Sequence, residues 1–255
     1  MLRYKKIFPI LFLLVFFLPS ISICLSKDIN SFNQAKKEAR IIWVDHPQTV
    51  CCGCTFDTQL SVDHQSCGYE PKNNRANRVE WEHIVPASFF GKNRACWKKA
   101  ACTRKNGDKY QGSDCCEKID PQFREMYTDL HNLIPIIGEV NGVRKDYSFT
   151  NIPFHRQIQI GYFNQCKIFI DKANHNVEPK YEIKGLVARA HLYMAKTYAV
   201  TLEVEQEKVM QDWHQKYPPS EWEKEWNSKI YKITGKNNSL ITDSFLTLVK
   251  LNLVD

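Results

Sequence analysis

Beyond its first 18 residues the chain has no apolar run long enough to cross a bilayer as a helix, a task that takes ~20 residues. It has no internal repeat and no low-complexity tract, and no linker divides it. HExxH is absent, which removes the usual zinc protease signature. The two paired CxxC units of a structural zinc site are also missing, because the cysteines crowd instead as CCGC (51–54) and CC (115–116).

What is present begins with MLRYKKIFPILFLLVFFLPSISICLS. Arg3, Lys5 and Lys6 precede an apolar run from Ile7 to Leu18, and small residues follow at Ser20, Ser22 and Ser26. That order predicts a secretory signal peptide over 1–22, with cleavage as late as 26. An uncleaved N-terminal anchor is the alternative. Ile23 ahead of Cys24 argues against lipidation, since small residues normally sit there. After cleavage about 230 residues remain, enough for one compact domain, 27–255. Loss of the three basic residues takes the formal charge from +7 to +4, which permits a polyanionic partner without demanding one. Export also accounts for the ten cysteines: in an oxidising compartment disulfides are the default, although their connectivity is not readable from spacing.

Periodicity predicts a helix over 26–46, a stapled loop over 47–77, a short strand in RVEWEHIV and a bridged, basic loop over 92–120. PQFREMYTDLHNLIPIIGEVNGVRK (121–145) reads as helical at both ends with a break near Pro135. GLVARAHLYMAKTYAV (185–200) reads as the central core helix, and 206–233 as two helices split at Pro218-Pro219. The class is α+β, mostly helical, in a single domain with short strands.

The chemistry gathers around WEHIVPASFFG (81–91). Neighbours on a strand point to opposite faces, so Glu82 and His83 share a site only if the strand ends there. Pro86 makes an ending plausible. Taken alone, an exposed Glu and a His held by a backbone carbonyl would be the plainer reading. Asn132, in TDLHNLIPIIGEVNG, is read just ahead of a helix carrying Pro135 in its first turn, where an N-cap would be its ordinary role. One carboxylate and one amide oxygen, completed by water, also suit Mg²⁺. His83, with an ordinary pKa near ~6.5, would then serve as general base. A cation, a base and an arginine are what phosphodiester hydrolysis needs. The loop supplies Arg94, Arg104, Lys98, Lys99 and Lys105 as nucleic-acid-binding candidates, with a solvated surface as the plainer reading.

WEHIVPASFFG, REMYTDLHNL, GEVNG, EIKGLVARAHLYM and YPPSEWEKEWN, in this order over about 30–240, resemble the bacterial endonuclease I family of secreted or periplasmic nonspecific nucleases. The resemblance implies a ββα-metal site, with Glu82 and Asn132 as metal ligands, His83 as base and Arg104 (alternatively Arg94) on the phosphate. Glu117 would orient His83 or the water. It implies one Mg²⁺, replaceable by Mn²⁺, and DNA or also RNA as substrate, cut to 5′-phosphates. The mature protein would be a monomer without stable membrane association, periplasmic or secreted. Three departures stand out: Val143 where the family usually has Asp, G-K-N-N-S-L from Gly235 where it usually has G-N-x-N-P-F, and cysteines in CCGC and CC denser than the family's. An exported nucleic-acid-binding protein without catalysis and a disulfide-rich interaction protein are the rival readings, and neither explains the acid–His–Asn set.

Overall fold

The computed structural model describes residues 26–242; the signal segment, Cys24 and the last 13 residues lie outside the described residues. α1 (Phe32–Ile42) is shorter than its periodicity suggested, because Ser31 starts it by accepting a hydrogen bond from the Gln34 N–H. Its apolar stripe, Ala35, Ala39 and Ile42, is buried. β1 (Val79–His83) follows the stapled loop, and then come α2 (Ala87–Gly91), α3 (Ala95–Lys98), the β2 (Cys102–Thr103) and β3 (Lys109–Tyr110) hairpin, and α4 (Ser113–Ile119).

α5 (Pro121–Tyr127) begins where Asp120 caps the Phe123 N–H. A 3₁₀ turn (Leu130–Asn132) leads into β4 (Leu133–Ile137), and α6 (Gly138–Arg144) follows at once. The expected break at Pro135 is therefore a strand. Asn132 does not precede a helix with Pro135 in its first turn. The physical reason is burial: Leu133, Ile134, Ile136 and Ile137 are all covered, and β4 pairs antiparallel with β1 in the register Trp81 to Pro135 and His83 to Leu133. Proline is tolerated because the sheet has only two strands, so each is an edge. The Pro135 carbonyl oxygen accepts from the Val50 N–H at 3.0 Å.

β5 (Ser148–Phe149), α7 (Phe154–Ile160), β6 (Phe169–Asp171) and β7 (Asn176–Glu178) make a small side sheet in the order β5-β7-β6. α8 (Tyr181–Tyr198) is the core helix that its spacing announced, buried from Leu186 to Met194. A Cβ on Gly185 would lie 2.1 Å from the Tyr217 carbonyl oxygen, so only glycine lets α8 meet the end of α9 (Val204–Lys216). α10 (Glu221–Thr234) starts after Pro218-Pro219 on a Ser220 cap with Glu221 and Glu223 in its first turn. α11 (Ser239–Thr242) closes the described chain.

Cys52–Cys166 and Cys54–Cys67 staple the first loop, and Cys96–Cys116 and Cys102–Cys115 the second. Cys51 is buried and unpaired among the described residues, its thiol pushed up to about 12 by burial and by the nearby Glu82 charge, and so is chemically quiet. Among the described residues no helix is long and apolar enough to cross a membrane. The architecture is α+β. β1, β4 and α6 form the expected strand–strand–helix unit, with residues 84–132 as a long excursion between its strands.

Candidate active site

β1 ends at His83, and three separate groups hold that end. Arg144 on α6 donates Nη1–H to the Glu82 carboxylate and to the His83 carbonyl oxygen (2.9 Å), and Nη2–H to the Ile84 carbonyl oxygen (2.8 Å). Its guanidinium lies 4.6 Å from the centroid of the Phe149 ring. Asn132 accepts the Val85 N–H on Oδ1 (2.7 Å) and donates Nδ2–H to the Val85 carbonyl oxygen (3.0 Å). Pro86 then turns the chain into α2.

The His83 ring leaves the strand on the face opposite Glu82. It stacks on Tyr127 with centroids 4.5 Å apart and on Phe32 of α1 at 5.0 Å. Nε2 lies 2.8 Å from the Tyr127 carbonyl oxygen. A carbonyl can only accept, so Nε2 carries the hydrogen and Nδ1 holds the lone pair. Burial lowers the His83 pKa to about 4, against the raising effect of the Tyr127 hydrogen bond, and Arg144 lowers it further. The ring is thus neutral near pH 7 and is a proton acceptor at Nδ1.

Glu117 reaches this ring at one remove. Its carboxylate accepts the Phe32 N–H at 2.6 Å, which fixes the start of α1 and so the face that Phe32 presents to His83.

Glu82 is buried. Burial raises its carboxyl above the ordinary value, and the Arg144 charge opposes this. Oε1 is taken by Arg144, leaving Oε2 without a partner among the described residues. Asn132 is not placed to join it toward a cation: it is fully buried and both ends of its amide are committed to Val85. The amide on the Glu82 side is Asn141. It sits three residues before Arg144 on α6, donates Nδ2–H to Glu80 (3.0 Å) and keeps Oδ1 uncommitted. Glu80 and Glu82 share one face of β1, and Asn141 and Arg144 the facing side of α6, so the two pairs lie side by side. The reading of single residues passed over Asn141. The signal that could have found it is an asparagine inside a helix, away from either cap, one turn before a buried arginine.

Arg94 is also used internally. It donates to Asp120 (2.6 Å), Gln122 (2.9 Å) and the Phe90 carbonyl oxygen (2.8 Å). Arg104 is exposed on the β2–β3 hairpin and lies 4.8 Å over the Tyr110 ring, which packs on the cluster that contains Tyr127. Lys98, Lys99 and Lys105 are exposed on the same stapled segment.

The strand end thus carries a histidine with a fixed tautomer on one face and a carboxylate facing an amide on the other, groups that hydrolysis uses. The comparisons agree with that use. The endonuclease I family profile matches residues 16–244. An extracellular deoxyribonuclease of Aeromonas hydrophila is 39% identical over 219 residues, covering 83% of this chain and 88% of that protein. Endonuclease-1 of Buchnera aphidicola subsp. Baizongia pistaciae is 37% identical over 232 residues, covering 86% and 89%. A periplasmic deoxyribonuclease of Aeromonas hydrophila is 35% identical over 222 residues, covering 85% and 87%. With a profile that spans most of its length and relatives at this identity, the chain belongs to the endonuclease I family.

Proposed function

We propose that this protein is an exported endonuclease that hydrolyses the phosphodiester bonds of DNA without marked sequence preference, with Mg²⁺ as its cation and 5′-phosphate products. The observation that carries the reading is His83, held by the Tyr127 carbonyl oxygen so that only Nδ1 can accept a proton. Relatives named extracellular or periplasmic deoxyribonucleases support DNA as substrate and export as destination.

Water is the nucleophile. Nδ1 of His83 takes its proton as the oxygen attacks phosphorus, while Nε2–H stays with Tyr127. Because burial disfavours the charged ring, the proton is readily passed on, and the base is reset for the next turnover. Phe32 and Tyr127 keep the ring plane fixed through both steps.

The donor set fits a hard divalent cation. Glu82 Oε2 and Asn141 Oδ1 are oxygen atoms without another partner among the described residues, on elements that Arg144 ties together, and water and phosphate oxygens would complete the shell. When bound, the cation supplies compensation for the negative charge that builds on the phosphate and on the departing 3′ oxygen. Arg104 is the candidate for sharing that charge from the opposite loop.

Plasmid nicking by the oxidised mature protein tests the proposal. It is run with Mg²⁺, with EDTA, and with His83→Ala. Cleavage by the wild type with Mg²⁺, lost in the other two lanes, is expected. Folded wild type that leaves the plasmid whole refutes it.

A further inference from the structure

The basic loop 92–109 was the sequence's candidate for gripping nucleic acid, but the structure shows a more strongly organised surface elsewhere. On α1, Asn33, Lys36, Lys37 and Arg40 recur at i, i+3, i+4 and i+7, which places them on one stripe opposite the buried Ala35, Ala39 and Ile42. That stripe is one wall of a cleft of about 740 Å³, whose floor is Val79, Glu80 and Trp81 of β1 with Asn141 of α6. No residue of 92–109 lines it.

The wall carries three cations and no acid: the only acidic residue of α1, Glu38, faces inward and pairs with Lys27. On the floor, Glu80 is gripped by Arg75 (2.7 and 2.6 Å) and Arg78 (3.1 and 2.9 Å). Those two arginines stay 44% and 58% exposed, so the one carboxylate on the floor is more than neutralised. At the far end stands Phe32, whose ring is stacked on His83. From Phe32 to Arg40 the helix advances ~12 Å at ~1.5 Å per residue. At ~3.4 Å of duplex axis per nucleotide of one strand, that length matches the axial rise of about three to four nucleotides.

We infer that this cleft between α1 and β1 is the track for the backbone of a DNA strand, with Lys36, Lys37 and Arg40 as its phosphate contacts, and that it delivers the scissile phosphate to His83. The inference rests on the nuclease reading for the identity of its polyanion. The geometry itself calls for a chain of phosphates in register with a basic helix face. Contacts of this kind position a strand without reading its bases, which accords with cutting that has little sequence preference.

The test compares two variants of the mature, oxidised protein: Lys36→Gln/Lys37→Gln/Arg40→Gln on the cleft, and Lys98→Gln/Lys99→Gln/Lys105→Gln on the loop. Binding of a fluorescent DNA duplex is measured by anisotropy in EDTA, over about 50 to 200 mM salt. The wild type is separately incubated with plasmid and Mg²⁺. The cleft variant should bind at least tenfold more weakly at the lower salt. Its slope of log affinity against log salt should flatten by about 2.7, at ~0.9 per lost phosphate contact. The loop variant should keep most of the wild-type slope. If the cleft variant does not fold, Lys37→Gln alone should flatten the slope by about 0.9, since that side chain lies fully on the surface. A cleft variant with the wild-type slope, in protein that does cut plasmid, overturns the track and leaves the nuclease standing. A flattened slope in protein that binds DNA but never cuts it supports the track and refutes the nuclease reading.

Discussion

His83 and Tyr127 are joined twice, by a 2.8 Å hydrogen bond from Nε2 to the Tyr127 carbonyl oxygen and by ring stacking at 4.5 Å. The first contact fixes the tautomer and the second fixes the ring plane. A backbone carbonyl cannot be removed by mutation, so the hydrogen bond is insulated from side-chain change at 127. Its consequence is that the base function belongs to Nδ1 alone.

His83→Ala should therefore lower kcat by about 10² to 10⁴, the usual worth of a positioned general base. DNA affinity in EDTA should change little, because the imidazole is neutral and its Nδ1 has no hydrogen to donate to a phosphate. Parallel kinetics and anisotropy measurements check this. An unchanged kcat would move the base to another residue. Tyr127→Phe should retain most activity, since the carbonyl and the stacking ring both survive.

Asn132 and Asn141 should separate cleanly into a stability residue and a site residue. Asn132→Ala strands the Val85 N–H and carbonyl oxygen in a buried turn. At ~1–3 kcal/mol for each of the two unpaired buried groups, it should cost about 2–6 kcal/mol in urea unfolding. Asn141 is half-buried and its Oδ1 has no partner among the described residues. Asn141→Ala should change stability by less than about 1 kcal/mol. It should weaken divalent-cation binding, read by calorimetry, by at least the 10- to 100-fold typical of losing an outer partner at a metal site. Equal stability losses in the two variants would contradict this division of labour.

That division also shows what the sequence could and could not reveal. The Pro218-Pro219 split and the α8 stripe are local signals, and the helices they announce are present. The stapled loops were visible as cysteine clusters, although which sulfur meets which depends on chain distances, such as the 114 residues between Cys52 and Cys166, that no local pattern encodes. Leu133–Ile137 misled because a strand covered on both faces has no alternation, and Pro135 within it looks like a helix signal. Glu82 and His83 stood out as candidates, being adjacent in the chain. The fate of Asn132 was not legible, because it is set by Val85, 47 residues earlier. Arg94 looked free for the same reason, its partner Asp120 lying 26 residues away.

Asp129 should make the fold sensitive to acid. Its carboxylate is buried, which by itself would raise its pKa. The His131 ring 3.5 Å away, Lys236 at 3.6 Å and the Tyr198 hydroxyl outweigh that and hold it well below the ordinary carboxylate range. A depressed folded-state pKa contributes stability that is complete above the unfolded value of ~3.9 and is lost as pH falls below it. Unfolding free energy of the wild type should thus drop from about pH 4 downward. In Asp129→Asn it should start lower at pH 7 and fall less steeply between about pH 4 and 2. Parallel acid titrations of urea midpoints check this, and identical slopes for the two proteins would show that other carboxylates control the transition.

The α8–α10 junction supplies the sharpest test of what holds the scaffold behind the site. Arg189 is almost fully buried and donates Nε–H and Nη2–H to the two oxygens of Glu223, each at 2.6 Å, and Nη1–H to the Tyr217 carbonyl oxygen at 2.8 Å. Asn238 adds a hydrogen bond to the Arg189 carbonyl oxygen at 3.3 Å. A buried pair of this kind contributes little against a well-packed apolar replacement, because desolvation offsets the attraction. Breaking one side is different: Glu223→Ala leaves a guanidinium in the core with no counter-charge, at about 3–5 kcal/mol. Arg189→Met/Glu223→Leu should be milder than Glu223→Ala alone, with a coupling energy of more than about 1 kcal/mol in the double-mutant cycle. Additive losses would mean that Arg189 is satisfied by Tyr217 and its neighbours rather than by Glu223.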